Sequence, residues 1–294
     1  MKVKPSFSEF KKMSQQGNLI PVYQEYLADT ETPVSAYLKL RNGSNSYLLE
    51  SADGGKRWGR YSFIGFNPFI RVLSRDGRME ICIGNQREVL EEVSNPMEVL
   101  RELNAKIKPV TTEDLPPFQG GLVGFVNYDL VRTWERLPGV SPINRSLPEA
   151  IFAACRNLVI FDHFTHTIKV VAFADLTEKT DLEQAYSQTC GLVAETIEKL
   201  QHPLPDASNN GQILLTDLKP DCEKAAFEDA VRKAKEHIVA GDIIQVVLSQ
   251  RFTGEVAGED FALYRNLRSV ILSPYLIHFI LVQPTVIPPP PATF

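Results

Sequence analysis

The sequence predicts an α+β fold in which antiparallel sheets pack against helices. Three observations carry this: hairpin signals between short β-rich runs, two long helical periodicities late in the chain, and no regular alternation of strand with helix. The 294 residues, 44% hydrophobic and 23% charged, describe an ordinary globular protein. There is enough apolar surface to offset the entropy of ordering the backbone, so disorder is not expected. A net charge of −5 without a basic cluster argues against nucleic acid as a partner.

The elements follow in order. Ser6-Phe7-Ser8-Glu9 has capping-box spacing, with Phe7 and Phe10 on one face, so a short helix opens the fold. From residue 33 to about 90 the pattern is short β-rich runs broken by Gly, Asn and Asp. Within it, Arg75-Asp76-Gly77-Arg78 is a hairpin turn between 69–73 and 79–83, because Asp-Gly accepts positive φ. A helix is predicted over 96–107, and a strand over 120–128 whose glycines permit close backbone packing. Runs 158–162 and 167–172 read as a second hairpin.

Leu182, Tyr186, Cys190, Val193, Ile197 and Leu200 recur at helical spacing and predict a helix over about 181–201. Residues 202–211 are rich in turn formers and read as a linker. Phe227, Val231, Ala234 and Ile238 line another helix, with Gly241 at its C-cap. The run 243–252 that follows is predicted as a strand. Ile244, Val246, Leu248 and Phe252 then face one way and Gln245, Val247, Ser249 and Arg251 the other.

The N-terminus has no apolar run for a signal peptide and carries acid early, unlike a transit peptide. Segment 270–282 is too short to cross a bilayer, so the expectation is a cytoplasmic protein with no membrane partner. Cys82, Cys155, Cys190 and Cys222 form no CxxC pair and read as buried free thiols. Asp53-Gly54-Gly55-Lys56 lacks the first glycine and the final Ser or Thr of a P-loop. His163 and His166, three apart on a hairpin, are expected at the surface or in the turn, and His237 is expected to be solvated. No complete active site emerges from the residues alone.

A family resemblance adds to this. The helix-to-strand run from Phe227 to Phe252 resembles the signature that opens the chorismate-binding region of anthranilate synthase component I. Upstream, Leu48-Leu49-Glu50-Ser51, Arg60-Tyr61-Ser62-Phe63-Ile64-Gly65, Gly120-Gly121-Leu122-Val123-Gly124, and Tyr128-Asp129-Leu130-Val131-Arg132 with Glu135 resemble the family in order. The hairpin run Leu158-Val-Ile-Phe-Asp-His163 is similar too. The resemblance spans residues 5–268. It implies an enzyme that adds ammonia to chorismate and eliminates pyruvate with Mg²⁺, the first step of tryptophan biosynthesis. The ammonia comes from a glutamine amidotransferase subunit.

Gln245 stands where water-using relatives carry Lys. Water needs a base to become a nucleophile, whereas ammonia brings its own lone pair, so an orienting amide suffices. The reading of Gln245 as an ordinary sheet glutamine stays open beside this. The resemblance also places L-tryptophan feedback binding at Glu50 and Ser51, and at Ser273, Pro274 and Tyr275. Glu50 favours the tryptophan-regulated enzyme over aminodeoxychorismate synthase component I of the folate pathway.

The match is expected to fail near residue 275. After Arg268 no Asp, Glu, Lys or Arg appears in the last 26 residues, and five of the last eleven are proline. The family's metal ligands and most of its chorismate contacts belong beyond this point. The predicted organisation is therefore a regulatory and partner-docking domain over 1–201, a linker over 202–218, and the start of a catalytic domain over 219–275. An aberrant tail is expected over 276–294. Such a fragment is expected to bind no Mg²⁺ and to be inactive alone; a non-catalytic module that binds tryptophan or the amidotransferase is the alternative.

Overall fold

The computed structural model describes residues 2–41, 45–50, 59–137, 147–177, 181–204, 214–271 and 275–281. Ser51, the 53–56 loop, most of the predicted linker, Ser273, Pro274 and the tail beyond 281 lie outside these residues. The chain divides into two compact units, one of residues 1–205 with 271–294 and one of residues 206–270.

The first unit runs α1 (Phe7–Met13), β1 (Leu19–Leu27), α2 (Pro33–Leu40), β2 (Ser46–Glu50), β3 (Tyr61–Arg75), β4 (Arg78–Ile83) and β5 (Gln86–Leu90). It continues with α3 (Pro96–Lys106), β6 (Leu122–Val126), a 3₁₀ turn at Tyr128–Thr133, β7 (Ala150–Asp162), β8 (Thr167–Asp175) and α4 (Leu182–Gln201). The second unit holds β9 (Leu214–Leu215), β10 (Lys219–Pro220), α5 (Lys224–Ala240), β11 (Phe252–Thr253), β12 (Val256–Ala257) and α6 (Asp260–Val270). A last strand, β13 (Leu276–Ile280), belongs to the first unit.

The α+β class with antiparallel sheets is the one the sequence predicts. In the first unit the strands follow the order β1-β8-β7-β3-β2-β13, with β4 on β3, β5 on β4 and β6 on β7, all antiparallel. The β3–β4 turn places Asp76 at φ 51 and Gly77 at φ 73, as the Asp-Gly signal requires. Ser6 and Glu9 cap α1 reciprocally. Asp181 caps α4 by accepting from the N–H groups of Glu183 and Gln184, both at 2.9 Å.

Four expectations need correction. Residues 33–40 form a helix rather than a β-rich run. Thr32 and Ser35 make a capping box there, Pro33 occupies the first turn, and Ala36, Tyr37 and Leu40 bury one face. In α4 the buried stripe is Ala185, Thr189, Val193, Thr196 and Leu200, rotated from the predicted face. The two threonines can be buried because their hydroxyls donate to the carbonyls of Ala185 and Leu192, each at 2.7 Å.

The predicted strand 243–252 is the third correction. Only its last residue enters a ladder, where Phe252 faces Pro220. An extended run needs a neighbour to take its N–H and C=O groups, and among the described residues none pairs with 243–251. Fourth, the predicted tail begins as structure. Leu276–Ile280 pairs with β2, its apolar residues completing the sheet beside Tyr47 and Leu49.

Both faces of the large sheet are covered. On one, Leu19, Tyr23, Tyr47, Ile70, Val72, Leu158, Ile160, Val171 and Phe173 pack with Leu100 and Leu103 of α3. The alternate residues, including Ile20, Val22, Leu48, Ile64, Val159, Phe161, Val170 and Ala172, are buried as well. On that side α4 lies against β8 and β1, with α1 and α2 against α4. All four cysteines are free, Cys82 and Cys155 buried and the other two partly so. Burial pushes the Cys155 thiol up to about 12, which leaves it inert at neutral pH.

Two glycine substitutions should move stability in opposite directions. A Cβ on Gly124 would sit 1.9 Å from the carbonyl oxygen of Ile151 across the β6–β7 ladder, whereas one on Gly191 of α4 would meet nothing within 4 Å. Gly124→Ala should destabilise the first unit by about 1–3 kcal/mol. Gly191→Ala should stabilise it by about 0.5–1 kcal/mol. Urea unfolding followed by far-UV circular dichroism measures both.

Candidate ligand-binding end of the large sheet

β2 lies between β3 and β13. Its register sets Tyr47 against Gly65, Leu48 against Ile64 and Leu49 against Phe63 on one side. On the other side Glu50 faces Leu276, Leu49 faces Ile277, Leu48 faces His278 and Tyr47 faces Phe279. Cross-strand partners share a face. Ser46, Leu48 and Glu50 therefore lie on the side of Leu276 and His278, while Tyr47 and Leu49 join Phe63 and Phe279 on the other.

The first of these faces carries a polar row within an apolar sheet. The hydroxyls of Tyr37, from α2, and Ser46 share a hydrogen bond of 3.0 Å. The Tyr37 ring meets the His278 imidazole edge-on at 5.4 Å. Glu50, at the end of β2, is only 6% exposed. One strand over, the buried Ser62 hydroxyl lies 2.8 Å from His163 Nε2.

β2 and β7 end, and β3 begins, at this same edge. There Arg60 donates from Nη2 to Asp162 Oδ2 at 2.8 Å and from Nε to Asp162 Oδ1 at 3.1 Å. The guanidinium also lies 4.8 Å from the Tyr61 ring centroid and 5.5 Å from that of Phe164. Burial alone would raise the Asp162 carboxyl. The Arg60 guanidinium and the N–H groups of Phe164 and Thr165 outweigh it and hold the group below the usual carboxylate range.

Of the residues singled out from the sequence, Glu50 faces Leu276 in the β2–β13 ladder, and Tyr275 precedes that residue in the chain. Tyr275 is 73% exposed. Ser51, Ser273 and Pro274 lie outside the described residues. Gln245 is exposed in the second unit, within the run that lacks a partner strand. No other residue singled out for catalysis joins it. His166 is exposed in the β7–β8 turn and His237 on α5, the latter with Nδ1 2.7 Å from Asp242 Oδ2.

Sequence reasoning missed Tyr37, Ser46, Ser62, His163 and His278 as neighbours. Alternation along 276–280 was the signal for His278, and the Thr32–Ser35 capping box was the signal for Tyr37. A groove of about 820 Å³, lined by Asn85, Arg156, Asp175, Gln188, Thr189 and Glu195 among others, shares no residue with this end of the sheet. Among the described residues no three His, Cys, Asp or Glu side chains converge as metal ligands. No described helix is long and apolar enough to cross a membrane.

Asp162→Asn tests the ion pair. The lowered carboxyl supplies stability that is present above its unfolded value of about 3.9 and is lost as pH falls through the folded one. The variant should be less stable by about 1–3 kcal/mol at pH 7. The difference should shrink as pH drops below about 4, where the native carboxyl is protonated too. Thermal unfolding across pH 2.5–7 reads it, and a difference that stays constant with pH contradicts the assignment.

A profile described as chorismate binding enzyme matches residues 44–288, so the similarity continues past Tyr275 into the predicted tail. Anthranilate synthase component 1 of Synechocystis is 39% identical over 289 residues, covering 94% of this chain and 56% of that protein. The protein of the same name from Aquifex aeolicus is 36% identical, covering 95% of this chain and 56% of its own length. The crystal structure of anthranilate synthase component I from Streptococcus pneumoniae superposes with a TM-score of 0.58 at 27% identity, covering 83% of this chain and 52% of that one. This chain therefore spans little more than half the length of the relatives it matches. It belongs to the family of chorismate-binding enzymes and is similar to anthranilate synthase component I within it.

Proposed function

We propose that this chain is the tryptophan-responsive part of an anthranilate synthase large subunit, and that it binds L-tryptophan where β2 meets β13. One observation carries the reading: Glu50 is buried at the end of β2, where it faces the first residue of β13, the strand that follows Tyr275 in the chain. The buried Glu50 carboxylate takes the α-ammonium, and Tyr275 offers a platform for the indole ring. Ser51, Ser273 and Pro274 complete the proposed set on sequence grounds.

The whole enzyme would add ammonia, delivered by a glutamine amidotransferase subunit in the cytoplasm, to chorismate and release pyruvate as a lyase of tryptophan biosynthesis. Mg²⁺ would serve that reaction through residues other than those described here. Gln245 would orient ammonia or substrate without deprotonating it. Taken alone, this chain is proposed to be inactive, because it spans only 56% of the Synechocystis relative and its described residues hold no cluster of three metal-ligating side chains. The folate-pathway alternative, aminodeoxychorismate synthase component I, has no observation in its favour.

Calorimetric titration with L-tryptophan tests the proposal. Measurable binding is expected, weakened about 10- to 100-fold by Glu50→Gln through loss of a charge-assisted contact. D-tryptophan and indole should give no comparable heat. Absence of binding by a chain whose unfolding transition is cooperative overturns the reading. Anthranilate formation by the purified chain from chorismate, ammonia and Mg²⁺ would overturn its proposed inactivity.

A further inference from the structure

The large sheet opens where β7 leaves β8. The two strands pair only as far as Asn157 and Ala172; beyond them β8 continues along β1 to Asp175, while β7 turns to β6. The groove of about 820 Å³ lies in this gap, lined by Arg156 of β7, Asp175 of β8, the β4–β5 turn and α4.

Neither charge in the groove is used up by the other. Arg156 Nη2 stands 3.8 Å from Asp175 Oδ2, beyond hydrogen-bond distance. The guanidinium lies over the Phe69 ring, 5.4 Å from its centroid, and among the described residues it donates no hydrogen bond. Asp175 is fixed by its own turn, where Oδ1 accepts from Thr177 N at 3.0 Å and from Thr177 Oγ1 at 2.7 Å. A cation and an anion, both partly buried, are therefore held side by side with donors and an acceptor to spare. The α4 wall is low beside them. Gly191 sits in mid-helix, where glycine is disfavoured, yet a Cβ there would meet nothing within 4 Å. No close packing calls for glycine at this position, and the space it leaves belongs to the groove.

We propose that this groove binds a free α-amino acid with an uncharged polar side chain. An α-amino acid carries its ammonium and carboxylate on a single carbon, close enough to meet the neighbouring Asp175 and Arg156 groups at once. The carboxylate accepts from the Arg156 guanidinium and the ammonium donates to Asp175 Oδ2, so four charges alternate in one ring. A ligand with only one of the two charges would leave a partly buried group unmatched. The side chain runs along α4 past Leu192, where Asn85 and Gln188 offer amide partners. The groove shares no residue with the Glu50 end of the sheet, so this site is separate from the one proposed for tryptophan, and each stands or falls on its own titration.

Calorimetric titration of the chain with L-glutamine and with L-asparagine tests the proposal, beside N-acetyl-L-glutamine, which lacks the ammonium charge. Saturable binding of at least one of the two amino acids is expected, with the acetylated compound at least tenfold weaker. Arg156→Leu should weaken binding at least tenfold by removing a charge-assisted contact. Gly191→Leu, which fills the groove from an exposed helix position, should abolish binding, and it keeps the test decisive if Arg156→Leu disturbs the packing on Phe69. Glu50→Gln should leave binding unchanged. Absence of binding by both amino acids to a chain with a cooperative unfolding transition overturns the proposal. Binding that survives Gly191→Leu, or that N-acetyl-L-glutamine matches, overturns it too.

Discussion

The ladder between β3 and β7 bends once, between Pro68 and Ile70, and the two halves of each strand take different neighbours on either side of that bend. The first half of β3 pairs with β2 and the second with β4, while β7 pairs with β6 in its first half and β8 in its second. Asn67, at φ 54, makes the turn in the strand, and its side-chain amide donates to Asn157 Oδ1 at 3.0 Å. Asn157 in turn donates to Thr196 Oγ1 of α4 at 3.1 Å. Asn157 and Thr196 are buried, and a buried amide is tolerated only with its partners present. The chain of bonds therefore fixes the bend and the helix across it together.

That bend decides where the Glu50 end of the sheet lies. β2 reaches only the first half of β3, and its register is locked by Tyr47, whose ring occupies the space above Gly65. A Cβ on Gly65 would sit 2.1 Å from the ring. A slip of one residue would turn Glu50 to the opposite face and bring Leu49 into its place. The position of one carboxylate thus follows from an aromatic ring three residues away and from a bend in the neighbouring strand.

What was legible in the sequence was local. The Asp76-Gly77 turn and the Ser6 capping box act within a few residues, and each is where its signal places it, whereas the spacing along 182–200 marked the helix α4 but not the face it buries. α2 carried an equally local signal in Thr32, Pro33 and Ser35, but it was hidden within a segment whose composition read as strand. The candidate site was half legible. Glu50 and Tyr275 came from resemblance, whereas Ser46, Ser62 and His163 join them only through register, which no single segment encodes. The run at 243–252 fails for the opposite reason. Its strand preference is strong, but a strand exists only where a second one lies beside it, and among the described residues none does.

The two units therefore stand on different physical footings. The first buries apolar side chains on both faces of its sheet, and the Glu50 end of that sheet is built from its own described strands. In the second, α5 has no buried residue, although tertiary packing of an amphipathic face is what supplies most helical stability in proteins. Among the described residues neither its apolar side nor the run 243–251 after it has a packed or paired neighbour, so the sheet of the first unit and the helix of the second rest on different sources of stability.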